Sequence, residues 1–263
     1  MKYSKFIFDV GANDGVDGLA LAINNKDYFV HAFEANPQLC KNIKVLKSKL
    51  EKRKGIRISN YKIHNYAVSN KKGILNFNIS KNHRVSSLNT LSDNLNKSWP
   101  GYKDSIFKVV KKIKIKTITL KEFMIKNNIK NINHLHTDTQ GSDLDVLKGL
   151  EEKIDSVYQG QMEASLKKEK SAYQNNHTVD DVKRFLKNTS LKINKIVIVD
   201  HISKIGILNN EVDIYYKNIK KVNKENLNLK YKKRYYQRVV DNRTYLKDNI
   251  YDSIIKLLNN ILN

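Results

Sequence analysis

The sequence predicts an α/β fold, a mostly parallel sheet covered by helices on both faces. Three observations predict it. Short apolar runs of strand length alternate with segments of helical period along the 263 residues. The first run ends in a glycine-containing turn that opens a helix, as in doubly wound sheets. Hydrophobic residues make up 40 % of the chain, enough for a core of domain size, and there is no internal repeat.

Lys5–Val10 reads as a buried strand. Asp17–Asn25 follows as a helix, with Leu19, Ala20, Ala22 and Ile23 on one side. Tyr28–Phe33 is a second strand. Asn36 and Pro37 predict a helix start, Asn as N-cap and Pro at the first helical position. Leu39, Ile43, Leu46 and Leu50 give Gln38–Lys54 its helical period. Tyr61–Val68 and Ile74–Ile79 read as strands, as does the alternating Lys112–Ile118. A helix is expected from Thr119 to about Asn127, a strand over Ile132–Thr137, and a helix over Ser142–Leu150. Val157–Met162, Ile193–Asp200 and Val212–Lys217 are strands, with a helix over Val179–Asn188. Two segments stand apart. Lys81–Lys111 is polar, holds Trp99 and Pro100, and reads as an insertion or lid. Residues 220–263 read as a basic helical tail, in which Ile250, Ile254, Leu257, Leu258 and Ile261 form an amphipathic stripe. Docking on its own domain, a homodimer contact and membrane-surface binding all fit that stripe.

Composition narrows the functional classes. One cysteine, Cys40, excludes a disulfide framework and thiolate metal clusters. No apolar run is long enough to span a membrane, and the first residues lack a signal-peptide core, so a cytoplasmic location is expected. The net charge is +23. Lysine, asparagine and isoleucine are all abundant, so codon bias accounts for much of that excess. The remainder permits polyanion contact through a lysine-rich surface, although no helix-turn-helix, zinc-finger or RNA-recognition signature accompanies it.

The chemistry-bearing motifs begin at Phe8-Asp9-Val10-Gly11-Ala12-Asn13-Asp14-Gly15. Glycine in such a turn lets the backbone approach a ligand, and the following helix N-terminus favours a polar or negative group. An ordinary tight turn reads the same way. The second strand, however, ends in Glu34, placed to accept the hydroxyls of a nucleoside ribose. No diphosphate-binding glycine fingerprint or P-loop is present, which favours S-adenosylmethionine over NAD or ATP.

These residues resemble the FkbM-type S-adenosylmethionine-dependent methyltransferases. Phe8–Gly15 is similar to that family's DVGANxG loop, and Phe33-Glu34-Ala35-Asn36-Pro37 to its FEPxP segment. Asn65–Ser69 with Lys72-Gly73 resembles AVGxxxG, Ser86-Ser87-Leu88 its serine motif, and Thr119-Leu120 its TLD element. His136–Asp143, continuing through Val146–Gly149, resembles KIDVEGxExxVLKG. The matches lie in family order over about residues 5–165. The resemblance implies a Rossmann-like, seven-stranded sheet whose last strand, at Val212–Lys217, is antiparallel. It also implies transfer of a methyl group to an oxygen, commonly a sugar or polyketide hydroxyl. On this reading Asp9, Gly11, Ala12, Asn13, Asp14, Gly15, Glu34, Ala35, Ala67 and Val68 hold the cofactor. The domain runs over residues 1–219 with the insertion at 81–111.

Two departures stand out: His136 replaces the signature Lys, and Gln140 the signature Glu. Asp138 is the first candidate for general base, His136 the second, and Glu163 the third. Helix capping by Asp138 and Asp143, and a packed strand histidine at His136, are the structural alternatives. Gln140, Asp143, His83 and Arg84 are expected to contact the acceptor, a glycan or related small molecule. His134, His136 and Asp138 share a strand face, but no metal site is expected. A ribose hydroxyl of RNA is the alternative acceptor, motivated by the charge. A catalytically decayed binding module is the other, motivated by the two departures.

Overall fold

The computed structural model describes residues 3–93, 95, 106–198 and 210–221. Trp99, Pro100 and the expected amphipathic stripe at Ile250–Ile261 lie outside them.

The main sheet has seven strands in the order β3-β2-β1-β7-β8-β10-β9. They are β1 (Lys5–Val10), β2 (Tyr28–Phe33), β3 (Tyr61–His64), β7 (His134–Thr137), β8 (Gln159–Ser165), β9 (Leu191–Ile198) and β10 (Glu211–Asn218). β1 pairs in parallel with β2 and β7, β2 with β3, and β7 with β8. β10 is antiparallel to both β8 and β9, in the place expected for the last strand. The chain order therefore reverses beside β1, and its crevice opens at the C-terminal ends of β1 and β7.

Helices α1 (Val16–Asn24), α2 (Pro37–Lys54), α3 (Leu120–Lys126), α4 (Asp143–Lys148) and α5 (Val179–Leu186) complete the layers. The caps follow from the sequence. The Asn36 side chain accepts from the Gln38 N–H, and Thr178 and Asp181 form a reciprocal capping box. One core lies under β1, β2, α1 and α2, around Ile7, Leu19, Val30, Ile43 and Leu46. The other runs from Phe8 and Phe33 through Leu135, Met162 and Val212 to α5.

The sequence-based strand Tyr61–Val68 is divided. β3 ends at His64, where a tight turn closes with Tyr66 N–H donating to the His64 carbonyl. The chain then leaves the main sheet, and Ala67–Val68 is β4 of a second sheet. That sheet has the order β4-β6-β5, with β5 (Gly73–Ser80) and β6 (Val109–Ile118) antiparallel. The two strands read at Ile74–Ile79 and Lys112–Ile118 thus belong to a separate ribbon, packed through Phe77, Ile115 and Ala67. The described part of the segment 81–111 folds onto the site: Leu91 bridges to Tyr173, and Leu95, Phe107, Ala172 and Tyr173 form a small core.

Candidate active site

The glycine loop is welded to the end of β7. Gly11 has φ 86°, and a Cβ there would run into the Asp138 carbonyl oxygen. Asp138 N–H donates to the Val10 carbonyl at 2.9 Å. Gly11 and Ala12 N–H both donate to the Phe33 carbonyl, at 3.0 and 2.9 Å, and tie the loop to β2. Only glycine satisfies both the positive φ and the close approach.

Glu34 is buried under this loop. Its carboxylate accepts from Asn13 N–H at 2.8 Å and Asn36 N–H at 2.7 Å. Burial raises its pKa to about 7, against those two hydrogen bonds and with help from Asp9 and Asp138. The Asn65 amide donates to the Glu34 and Ala35 carbonyls, at 2.9 and 3.0 Å. Ala67 and Val68 are buried core residues, Ala67 in the cluster that Ala35 joins. Asp14 accepts from Val16 N–H at the start of α1 and pairs with Arg84 at 3.5 Å. Arg84 and His83 lie in a single 3₁₀ turn, His83–Val85. They therefore stand over the glycine loop rather than in a separate acceptor pocket. Burial lowers the His83 pKa, with Asp14 opposing and Arg84 adding to the shift.

Asp9 is 1 % exposed. One carboxylate oxygen, Oδ1, lies 2.9 Å from His136 Nδ1, and the other, Oδ2, has no hydrogen-bond partner. Gly18 of α1 lets Oδ2 fit, since a Cβ there would lie 2.6 Å from it. Burial alone would lower the His136 pKa. The Asp9 hydrogen bond and charge overcome this, and with Asp138 hold it up at about 9. In its protonated form His136 carries the charge of the lysine in the family signature.

Asp138 sits at the mouth of the crevice, partly exposed. Its Oδ1 accepts from Gln140 Nε2 at 2.8 Å, and the same amide reaches Glu163 Oε2 at 3.4 Å. Tyr173 OH holds the other end of Gln140 at 3.0 Å, and Ser87 OH donates to the Gln140 carbonyl at 2.6 Å. Gln140 takes a left-handed φ of 56°, which these four contacts maintain. Burial raises the Asp138 pKa, opposed by Gln140 and His136 and aided by Glu211 and Asp9. Burial and then Asp138 and Glu211 push Glu163 well up. Asp143, at the first position of α4, is buried and raised to about 6 by burial and Asp138. Thr139 N–H and OH hold its carboxylate. These contacts brace the β7–α4 turn.

A small polar recess opens here, lined by Gln140, Gly141, Glu163, Ala164, Tyr173, Asn176 and Glu211. Tyr173 and Glu211 escaped the sequence reading. Tyr173 belongs to an unpatterned loop, and Glu211 reads as an ordinary acid before an edge strand. Gly18 was legible in principle, as a glycine in the helix that follows the loop. Among the described residues no group of His, Cys, Asp and Glu is arranged to hold a metal ion.

The crevice fits S-adenosylmethionine. The glycine cradle excludes any side chain at Gly11, and Glu34 stands at the β2 tip. Asp9, Gly11, Ala12, Asn13, Asp14, Glu34 and Ala35 are the residues that would hold it.

Comparison with known proteins agrees. The crystal structure of Methyltransferase FkbM from Methylobacillus flagellatus KT is similar at 12 % identity and a TM-score of 0.47, over 82 % of this chain. The chain spans only 44 % of that protein. M. capricolum TrmK, in complex with S-adenosylhomocysteine, is similar at 14 % identity and a TM-score of 0.43, over 98 % of this chain and 89 % of that one. A SAM-dependent methyltransferase from Aquifex aeolicus is similar at 11 % identity and a TM-score of 0.37, over 83 % of this chain and 84 % of that one. No curated protein sequence matches. The family model of the Methyltransferase FkbM domain matches residues 9–192, from Asp9 of the glycine loop into β9. The chain thus belongs to the FkbM family of S-adenosylmethionine-dependent methyltransferases.

Proposed function

We propose that the protein transfers a methyl group from S-adenosylmethionine to a sugar hydroxyl, with a glycan or related small molecule as acceptor. The observation that carries this reading is the placement of Asp138. Its backbone is fused to the glycine loop, and Gln140 ties its carboxylate to Glu163 at the edge of a small polar recess.

When bound, the cofactor supplies an electrophilic methyl group on a sulfonium. The chain supplies the rest. Positioning of the acceptor is worth at best about 7–11 kcal/mol. Asp138 accepts the hydroxyl proton, and its raised pKa brings it nearer the operating pH. Gln140 holds Asp138 and separates it from Glu163. Glu163 and Glu211 accept hydrogen bonds from further acceptor hydroxyls. The imidazolium of His136 offsets the charge of Asp9 and Asp138.

Calorimetric titration with S-adenosylhomocysteine tests the cofactor half, with saturable one-to-one binding expected. Asp138→Asn tests the catalytic half. Methyl transfer in an acceptor screen, glycans before RNA, is expected to fall about 100- to 10,000-fold with cofactor affinity kept. Unchanged turnover removes Asp138 as base. Absence of cofactor binding at millimolar ligand sinks the whole reading.

A second reading, methylation of an RNA ribose, is favoured by one observation, the lysine-lined outer face of β6.

A further inference from the structure

The second sheet has two unlike faces. Along β6, Ile113, Ile115 and Thr117 point inward, and Phe77 of β5 lies across from Ile113. The alternate positions Lys112, Lys114 and Lys116 point outward and are exposed. Opposite them on β5 stand Asn78, Asn76 and Ile74. No acid lies on either strand. None of the three lysines has a salt-bridge partner among the described residues, whereas Lys72 and Lys121 beside the sheet do.

We propose that this face is a binding track for the phosphate backbone of a single RNA strand. Lysines two apart on one strand repeat every ~6.8 Å, on the scale of successive phosphates in an extended chain. An ammonium on a flexible stem is a phosphate point-charge binder that needs no fixed geometry. The face carries no aromatic side chain, so it grips backbone without reading bases. That same lack, with Ile74 and Val110 at opposite ends rather than in one patch, makes it a poor membrane surface.

Lys112 pairs with Asn78, Asn78 bridges to Ser87, and the Ser87 hydroxyl donates to the carbonyl of Gln140 in the active site. Lys116, at the far end, pairs with Ile74. One end of the track thus adjoins the active site. The inference requires RNA binding only and stands apart from the identity of the methylated group.

The test uses the full chain and a fluorescein-labelled oligouridylate, without methyl donor, by anisotropy between about 50 and 200 mM salt. The variant K112Q/K114Q/K116Q is compared with K41Q/K44Q/K52Q, which removes the same charge from the exposed side of α2. Each lysine on the track contributes about 0.7 to the slope of log affinity against log salt. The track variant is therefore expected to lose about 2 in slope, and at least tenfold in affinity at the low-salt end. The α2 variant is expected to change far less. Equal losses in the two variants would reduce the effect to net charge and overturn the proposal, as would wild-type RNA binding by the track variant. Loss of heparin or anionic-vesicle binding with RNA binding kept would overturn it in favour of another polyanion. Unchanged S-adenosylhomocysteine affinity in both variants separates these outcomes from a failure of the cofactor site.

Discussion

At the scale of residues, the His136 pKa is raised chiefly by Asp9, with Asp138 and Asp17 adding to it. Together they hold the imidazole pKa near 9, above the ordinary 6.5 of an unfolded chain. A group raised on folding stabilises fully below its unfolded pKa and loses that contribution as pH rises through the folded one. Stability is therefore expected to decline between about pH 6.5 and 9. His136→Gln should flatten that limb in chemical denaturation, and an unaltered limb would deny the ion pair its role. Gly11→Ala meets both a positive φ and the Asp138 carbonyl. It is expected to weaken S-adenosylhomocysteine binding at least tenfold, the equivalent of about 1.4 kcal/mol, as read by calorimetry. Asp9, Gly11, Glu34 and Asp138 were legible because each stands at a strand end beside a turn. The state of His136 was not, because Asp9 and His136 are far apart in sequence and only the β1–β7 register joins them.

Elements show the same division. The Asn36-Pro37 helix start was readable as local chemistry and acts in the fold as read, and the structure adds the Thr178–Asp181 capping box. Thr178→Ala should cost about 1 kcal/mol in chemical denaturation through loss of the capping box. The division of Tyr61–Val68 was marked in the sequence only by the polar pair His64-Asn65, where the alternation breaks at a turn-prone residue. Tertiary packing decides it: β3 ends at His64, which lies 3.0 Å from His31 among Phe8, Phe33 and Phe123. Burial lowers His31 to about 3, with His64 and Lys62 adding to it, and lowers His64 to about 4, with Lys62 adding to it. Both are neutral when folded, so the unfolded chain takes up protons first as pH falls below about 6.5. The thermal midpoint is expected to drop between about pH 6.5 and 4. The variant His31→Phe with His64→Phe should drop less, and a drop of equal size would exonerate the pair.

On the scale of the whole molecule, the seven-stranded sheet and its antiparallel strand agree with the sequence reading, while the β4-β6-β5 ribbon departs from it. Alternation in β5 and β6 shows that each has one buried face but not which sheet buries it. That pairing is set by contacts distant in sequence. No helix among the described residues is long and apolar enough to cross a membrane. Cofactor binding should stabilise the fold as a unit. S-adenosylhomocysteine at a hundredfold excess over its Kd is expected to add about 2.7 kcal/mol, seen as a higher thermal midpoint.

The antiparallel strand carries one more consequence, for the growing chain on the ribosome. β10 is the last strand of the sheet to be made, yet it enters between β8 and β9 and pairs with both. Until residue 218 has emerged, the backbone edge of β8 stays open to any passing strand. Glu163 and Ser165 on that edge are polar where a sticky strand would be apolar. Such polar side chains make the open edge a poorer template for aggregation.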